Sequence, residues 1–112
     1  MQKINDYRKE RGVKALKTSP FLERSAEQTA YEIFIGKRQW NHDGYVASIS
    51  GQYQSWWIIG ENLARFYNDF DFMLRSWELS PEHKANLLEK DFCEGGLGIY
   101  SYVWVLHLGC RD

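Results

Sequence analysis

Along most of this chain the apolar residues recur at helical spacing, and only near the end does their period fall to two. Over residues 4–11, Ile4 and Tyr7 share one face of a charged segment, and Gly12 supplies its stop. A short loop leads to Ser19-Pro20, an N-cap serine followed by a proline whose missing N–H costs nothing in a first turn. Leu22, Ala26, Thr29, Ala30 and Ile33 then form one stripe of a helix that Gly36 ends. Residues 40–44 read as a loop with an Asp43-Gly44 turn signal. Residues 47–57 fit no single period, a short helix interrupted at Gly51 being one reading, and residues 58–64 read as an extended piece. Asn68 is placed to cap a helix whose buried face is Phe70, Met73, Leu74 and Trp77. Ser80-Pro81 repeats the earlier punctuation and opens a helix through Leu88.

Residues 95–100 and 102–109 read as two strands joined as a hairpin. In the second, Val103, Val105 and His107 alternate with Trp104, Leu106 and Leu108. Both faces are largely apolar, so this strand is expected to be covered on both sides. The preceding helices must provide that cover, which gives an α+β or three-layer arrangement.

Composition narrows the function classes. The 112 residues suit one domain, spanning 1–112, and 16% aromatic content argues for a packed core rather than disorder. Fourteen Lys and Arg against 15 Asp and Glu leave a formal charge of -1. Without a basic stripe, nucleic-acid binding is excluded as a reading. No stretch approaches the roughly 20 apolar residues of a membrane span. The start, Met1-Gln2-Lys3-Ile4-Asn5-Asp6, has no apolar signal-peptide region. Either the protein is intracellular or the chain begins after a removed leader.

The two cysteines lean toward the second. Cys93 and Cys110 flank the C-terminal hairpin, whose pairing would bring its ends together, and neither sits in a Cys-x-x-Cys motif. A bridge there is worth roughly 3 kcal/mol in the chain-entropy model. The alternative is two buried thiols acting as small apolar side chains.

Four segments, in order, carry a resemblance. They are Ile4-Asn5 through Arg8 with Gly12, Leu16, Leu22 and Ala26; Asn41-His42-Asp43-Gly44-Tyr45; Gly60-Glu61-Asn62-Leu63-Ala64; and Trp77-Glu78-Leu79-Ser80-Pro81-Glu82-His83-Lys84-Ala85-Asn86-Leu87-Leu88 leading to Gly96-Leu97-Gly98. Each alone is weak, but together they span nearly the whole chain. They resemble the bacterial branch of the CAP superfamily, which holds cysteine-rich secretory proteins, antigen 5 and pathogenesis-related proteins. The resemblance implies an α-β-α sandwich with a small antiparallel sheet. It also implies a central cleft with two histidines and two acidic residues, in some members binding a divalent metal such as zinc. By motif the histidines fall on His42 and His83, and one acid on Glu61; the second acid's place falls on Ser80. Glu78 and Glu82 are near in sequence but point elsewhere on a helix.

Three functions compete for this set. The first is a secreted, monomeric binding module whose cleft, lined by His42, Glu61, Ser80 and His83, holds a lipid, a cell-wall component or a divalent metal. The alternative is a metal-dependent hydrolase or peptidase, in which Glu61 acts as general base on water held by His42 and His83. The third is a silent structural or interaction domain, its His–Glu cluster hydrogen-bonded as internal glue. No cofactor is required by the first or third. His83 sits near a helix start, which lowers its pKa, while Glu78 and Glu82 oppose that shift.

The remaining candidates have plainer expectations. Ser80's hydroxyl is expected to be used as an N-cap, and Asn62 and Asn86 as backbone clamps. His107 either faces the cleft or packs in the core, and its apolar strand neighbours favour packing. Tyr53, Trp56 and Trp57 either cover the sheet, the favoured reading, or offer an aromatic binding surface.

Overall fold

A computed structural model describes residues 1–42 and 56–111. The Asp43-Gly44 turn, the reading of a helix interrupted at Gly51, and Tyr53 lie outside the described residues.

Helix α1, Gln2–Glu10, buries Ile4, Tyr7 and Arg8. It ends where Gly12 takes a φ of 75°, a left-handed conformation that glycine adopts without a steric penalty. Asn5 then holds the returning chain, accepting from the Leu16 N–H at 2.7 Å and donating to the Leu16 carbonyl at 3.0 Å. Strand β1, Lys17–Thr18, follows where the sequence pattern reads as loop. Helix α2, Pro20–Phe34, starts as the pattern predicts: Ser19 Oγ accepts from the Leu22 N–H at 3.1 Å, with proline in the first turn. Helix α3, Phe70–Glu78, is capped by Asp69 rather than Asn68, because the Asp69 carboxylate accepts from both the Asp71 and Phe72 N–H groups. Helix α4 is Pro81–Leu88.

The sheet comprises β1, β2 (Trp56–Arg65), β3 (Glu94–Tyr100) and β4 (Val103–Arg111), in the order β1-β3-β4-β2. The hairpin pair β3–β4 and the pair β2–β4 are antiparallel, while β1 runs parallel to β3. The sheet is therefore mixed, its parallel edge being a two-residue addition to the expected antiparallel core. The extended piece foreseen over 58–64 is a full strand on the outer side of β4.

Strand β4 is covered on both faces, as its unbroken apolar run requires. Trp104, Leu106 and Leu108 join Ile4, Met73, Trp77 and Leu87 in a core beneath α1, α3 and α4. Val103 and Val105 pack with Leu63 against Ala26, Ala30 and Ile33 of α2. This is the α-β-α layering. Helix α2 approaches β3 so closely that a Cβ on Gly96 or Gly98 would collide with the backbone at Glu23 or Glu27.

Two further ties fix the layers. Arg8 is wholly buried and donates through Nε to the Lys14 carbonyl and through a terminal nitrogen to the carbonyls of Leu87 and Glu89. It joins α1 to the end of α4, and burial lowers its pKa from the ordinary arginine value. Cys93 and Cys110 form a disulfide across the β3–β4 ends, with a Cα–Cα distance of 5.0 Å. Among the described residues, no helix is long and apolar enough to cross a membrane.

Candidate functional site

Glu61 lies in β2 directly opposite His107 in β4. The side-chain alternation puts both on the face that α2 covers, alongside Leu63 and Val105. Only 2% of the Glu61 side chain is exposed and none of His107. A buried carboxylate needs partners for both oxygens. His107 Nε2 lies 2.6 Å from Oε2, and His42 Nδ1 lies 2.7 Å from Oε1. On its other side His107 Nδ1 lies 2.7 Å from Ser25 Oγ of α2. The result is a continuous row, Ser25–His107–Glu61–His42, running from under α2 to the surface.

The protons in this row can be placed. Burial, the largest influence, holds the His107 pKa below its usual value, with the Glu61 hydrogen bond and charge opposing, so the ring is neutral near neutral pH. Neutral imidazole has a single N–H. An ionised Glu61 then takes that proton's hydrogen bond from Nε2, leaving Nδ1 to accept from the Ser25 hydroxyl. Ser25 Oγ also lies 2.9 Å from the Leu22 carbonyl, so its proton has two alternative acceptors. His42 donates Nδ1–H to the acceptor oxygen of Glu61 and presents Nε2 outward, on a side chain that is 56% exposed. That is how a metal- or ligand-binding histidine is usually oriented, through a carboxylate on its far nitrogen.

His42 is carried there by the segment after α2, which folds back on the helix end. The N–H groups of Lys37 and Arg38 donate to the Glu32 carbonyl, and the Arg38 guanidinium pairs with the Glu32 carboxylate and donates to Thr29. Hydrogen bonding by Gln28, followed by the charges of Arg38 and Lys37, outweighs burial and holds the Glu32 pKa low.

His83 approaches from the opposite layer, on α4. Its carbonyl accepts from Asn62 Nδ2 at 3.0 Å, and Asn86 donates to Asn62 Oδ1 at 3.0 Å. Asn86 also donates to the Glu61 carbonyl at 3.4 Å. The two asparagines are backbone clamps that lock the start of α4 to β2 beside Glu61. The His83 ring lies 6.5 Å from the Trp77 ring. Burial lowers its pKa first and the charge of His42 second, with Glu82 opposing. The charge of His42 is thus felt at His83, whose backbone is clamped to the outer strand β2 beside Glu61.

Ser80 occupies the N-cap position of α4, but its hydroxyl makes no capping hydrogen bond, contrary to expectation. Glu78 is turned away to Arg11 at 2.9 Å. His107 is packed, as its neighbours suggested, and also contacts Glu61. Ser25 was missed altogether, although it is a polar residue within the buried stripe between Leu22 and Thr29. Trp56 is half-buried and packs near Phe21 and Arg111, whereas Trp57 is exposed. Among the described residues, no group of three or more His, Cys, Asp or Glu is arranged to hold a metal ion.

Comparisons with known proteins agree with this architecture. An extracellular protein containing an SCP domain from Bacillus anthracis superposes with a TM-score of 0.87 at 21% identity, over 100% of this chain and 40% of that one. A cysteine-rich secretory protein from Staphylococcus aureus gives 0.87 at 22%, over 96% of this chain and 36% of that one. An outer surface protein from Borrelia burgdorferi gives 0.85 at 22%, over 99% of this chain and 89% of that one. The chain thus spans well under half the length of the first two. No curated protein matches it significantly. The model of the cysteine-rich secretory protein family, CAP, matches residues 1–106, and the chain belongs to that family.

Proposed function

We propose that the chain is an extracellular binding domain in which His42 and His83 hold the ligand. The observation that carries this reading is the 2.7 Å contact between His42 Nδ1 and the buried Glu61 carboxylate, which leaves His42 Nε2 facing outward. An imidazole fixed in this way, together with a second one of lowered pKa on α4, would make a donor pair for a divalent ion, or for the hydroxyl and phosphate groups of a lipid or cell-wall component. Neighbours described as extracellular or outer surface proteins support the location.

Binding is better supported than hydrolysis. A general base must reach water, yet Glu61 is buried and each of its oxygens already faces an imidazole nitrogen. Catalytic zinc sites use three protein ligands. Two imidazoles fall short of that set, though they suit an ion that keeps open positions for a further ligand. Such an ion would polarise whatever bound to it.

Zinc is the simplest probe. Calorimetry is expected to show uptake of one ion per chain near neutral pH, lost in His42→Ala and in His83→Ala. A flat titration of the native protein contradicts the imidazole pair as a ligand-holding site.

A further inference from the structure

At another part of the surface α2 finishes, β2 turns toward α3 and β3 turns into β4. Three turn tips there present aromatic side chains to solvent: Phe34 is 52% exposed, Phe66 82% and Tyr102 53%. They belong to one continuous patch. The Phe34 ring lies 5.2 Å from Tyr100, and Tyr100 lies 5.0 Å from Tyr31. The Phe66 N–H donates to the Tyr102 carbonyl at 2.9 Å. The Arg65 guanidinium lies 5.1 Å from the Phe66 ring and 4.4 Å from the Trp40 ring. A hollow of about 210 Å³ opens between Phe34, Phe66 and Tyr102.

Phe66 is the sharpest feature. Its φ is 79°, in the left-handed region where a β-carbon crowds the backbone and where glycine or asparagine is the ordinary occupant. A bulky ring kept there at 82% exposure is explained neither by backbone preference nor by core packing. Backbone strain of this kind concentrates at functional positions.

Charge selects the occupant. Among the described residues, the cations at this end are Lys37, Arg38 and Arg65, and the acid beside them is Glu32, which pairs with Arg38 and Lys37. Arg65 has no carboxylate partner among the described residues. Asp69, three residues beyond Phe66, is engaged in capping α3. A chain of net charge -1 therefore carries a locally positive apolar end. Two copies meeting across a two-fold axis would set these cations against themselves. Side chains on protruding tips also suit a broad interface better than a bound peptide strand.

We propose that this end docks on an anionic lipid bilayer. The rings of Phe34, Phe66 and Tyr102 enter the boundary between head groups and acyl chains, while Lys37, Arg38 and Arg65 stand at phosphate level. None of these residues belongs to the Ser25–His107–Glu61–His42 row, and His83 is not among them.

The test is co-sedimentation of the full chain with vesicles of phosphatidylcholine alone or mixed with phosphatidylglycerol. The protein is expected to bind the mixed vesicles, and salt to weaken that binding. Arg65→Gln is expected to lower partitioning about fivefold, the factor expected per cation at an anionic surface. Phe34→Ser combined with Phe66→Gly is expected to lower it by at least about tenfold, through lost apolar contact. Phe66→Gly alone should hold or raise Tm, because it relieves the left-handed strain, so its loss of binding cannot be unfolding. His42→Ala should bind vesicles like the native chain. No partitioning into the mixed vesicles, or partitioning unchanged in the Phe variants, overturns the proposal. So does a self-association of the native chain that the same variants abolish, because the patch would then meet a second copy.

Discussion

Glu61 is surrounded by imidazoles rather than water, so residues that never reach the surface decide how His42 is presented. His107 is the most consequential of these. Burial keeps its folded pKa below the ordinary 6.5, whereas the unfolded residue takes up a proton as pH falls through that value. The unfolded state then binds more protons than the folded one. This contribution to stability is full above 6.5 and declines as pH drops from there toward the lower folded value. His83 is shifted the same way, chiefly by burial, and adds to the decline. Each pH unit crossed in that window removes at most about 1.4 kcal/mol per group. Urea midpoints measured above and below 6.5 are expected to show the loss. His107→Gln, which keeps a donor for Glu61 but does not titrate, should reduce it. An equal loss in native and variant proteins would show that His107 titrates normally.

The pattern of apolar positions was informative element by element, because each helix and β4 buries a stripe or face that its own sequence displays. Capping chemistry placed the start of α2 correctly. It missed the start of α3 by one residue, since Asn68 and Asp69 are both good caps and only tertiary context chooses between them. Strand β1 left no readable period, being two residues long and formed by pairing with β3. The site was legible in part. The resemblance pointed to His42, Glu61 and His83, of which the structure joins His42 to Glu61 by a hydrogen bond, but not to the row through His107 to Ser25. Seeing that row requires knowing that Glu61 and His107 face each other, and strand register is set by pairing that no local pattern encodes. Its weak signal was two polar residues, Ser25 and His107, on apolar faces that the layering brings together.

At the same scale, the contact of α2 with β3 makes a sharp prediction. Gly98→Ala inserts a methyl group where the backbone of Ala26 and Glu27 already lies. Neither side can yield by a rotamer change, so the helix must move. The substitution should cost about 3 kcal/mol, at the upper end of ordinary overpacking. Chemical denaturation measures it, and a cost below about 1 kcal/mol would mean that α2 is less tightly seated than described.

Among the described residues the whole molecule is a sheet sealed between α2 on one face and α1, α3 and α4 on the other, closed near its C-terminal end by the Cys93–Cys110 bridge. The bridge spans a sequence separation of 17 residues and joins strands already paired through seven registered positions. Cys93→Ser with Cys110→Ser is therefore expected to lower stability by about 3 kcal/mol through the gained freedom of the unfolded chain. The fold should remain, with an unchanged circular dichroism spectrum; loss of that spectrum at ambient temperature would show that the sheet depends on the bridge.

The proposed site requires the layering to bring His42, carried by the segment after α2, to His83, carried by α4. Long-range proton–nitrogen NMR of the imidazole rings during a zinc titration reads that convergence directly. The account predicts that His42 begins with its proton on Nδ1, and that His42 Nε2 and His83 then shift together at one ion per chain. His107 should stay neutral and unmoved beneath α2. A spectrum in which His42 carries its proton on Nε2, or in which the ion moves one of the two rings without the other, would contradict it.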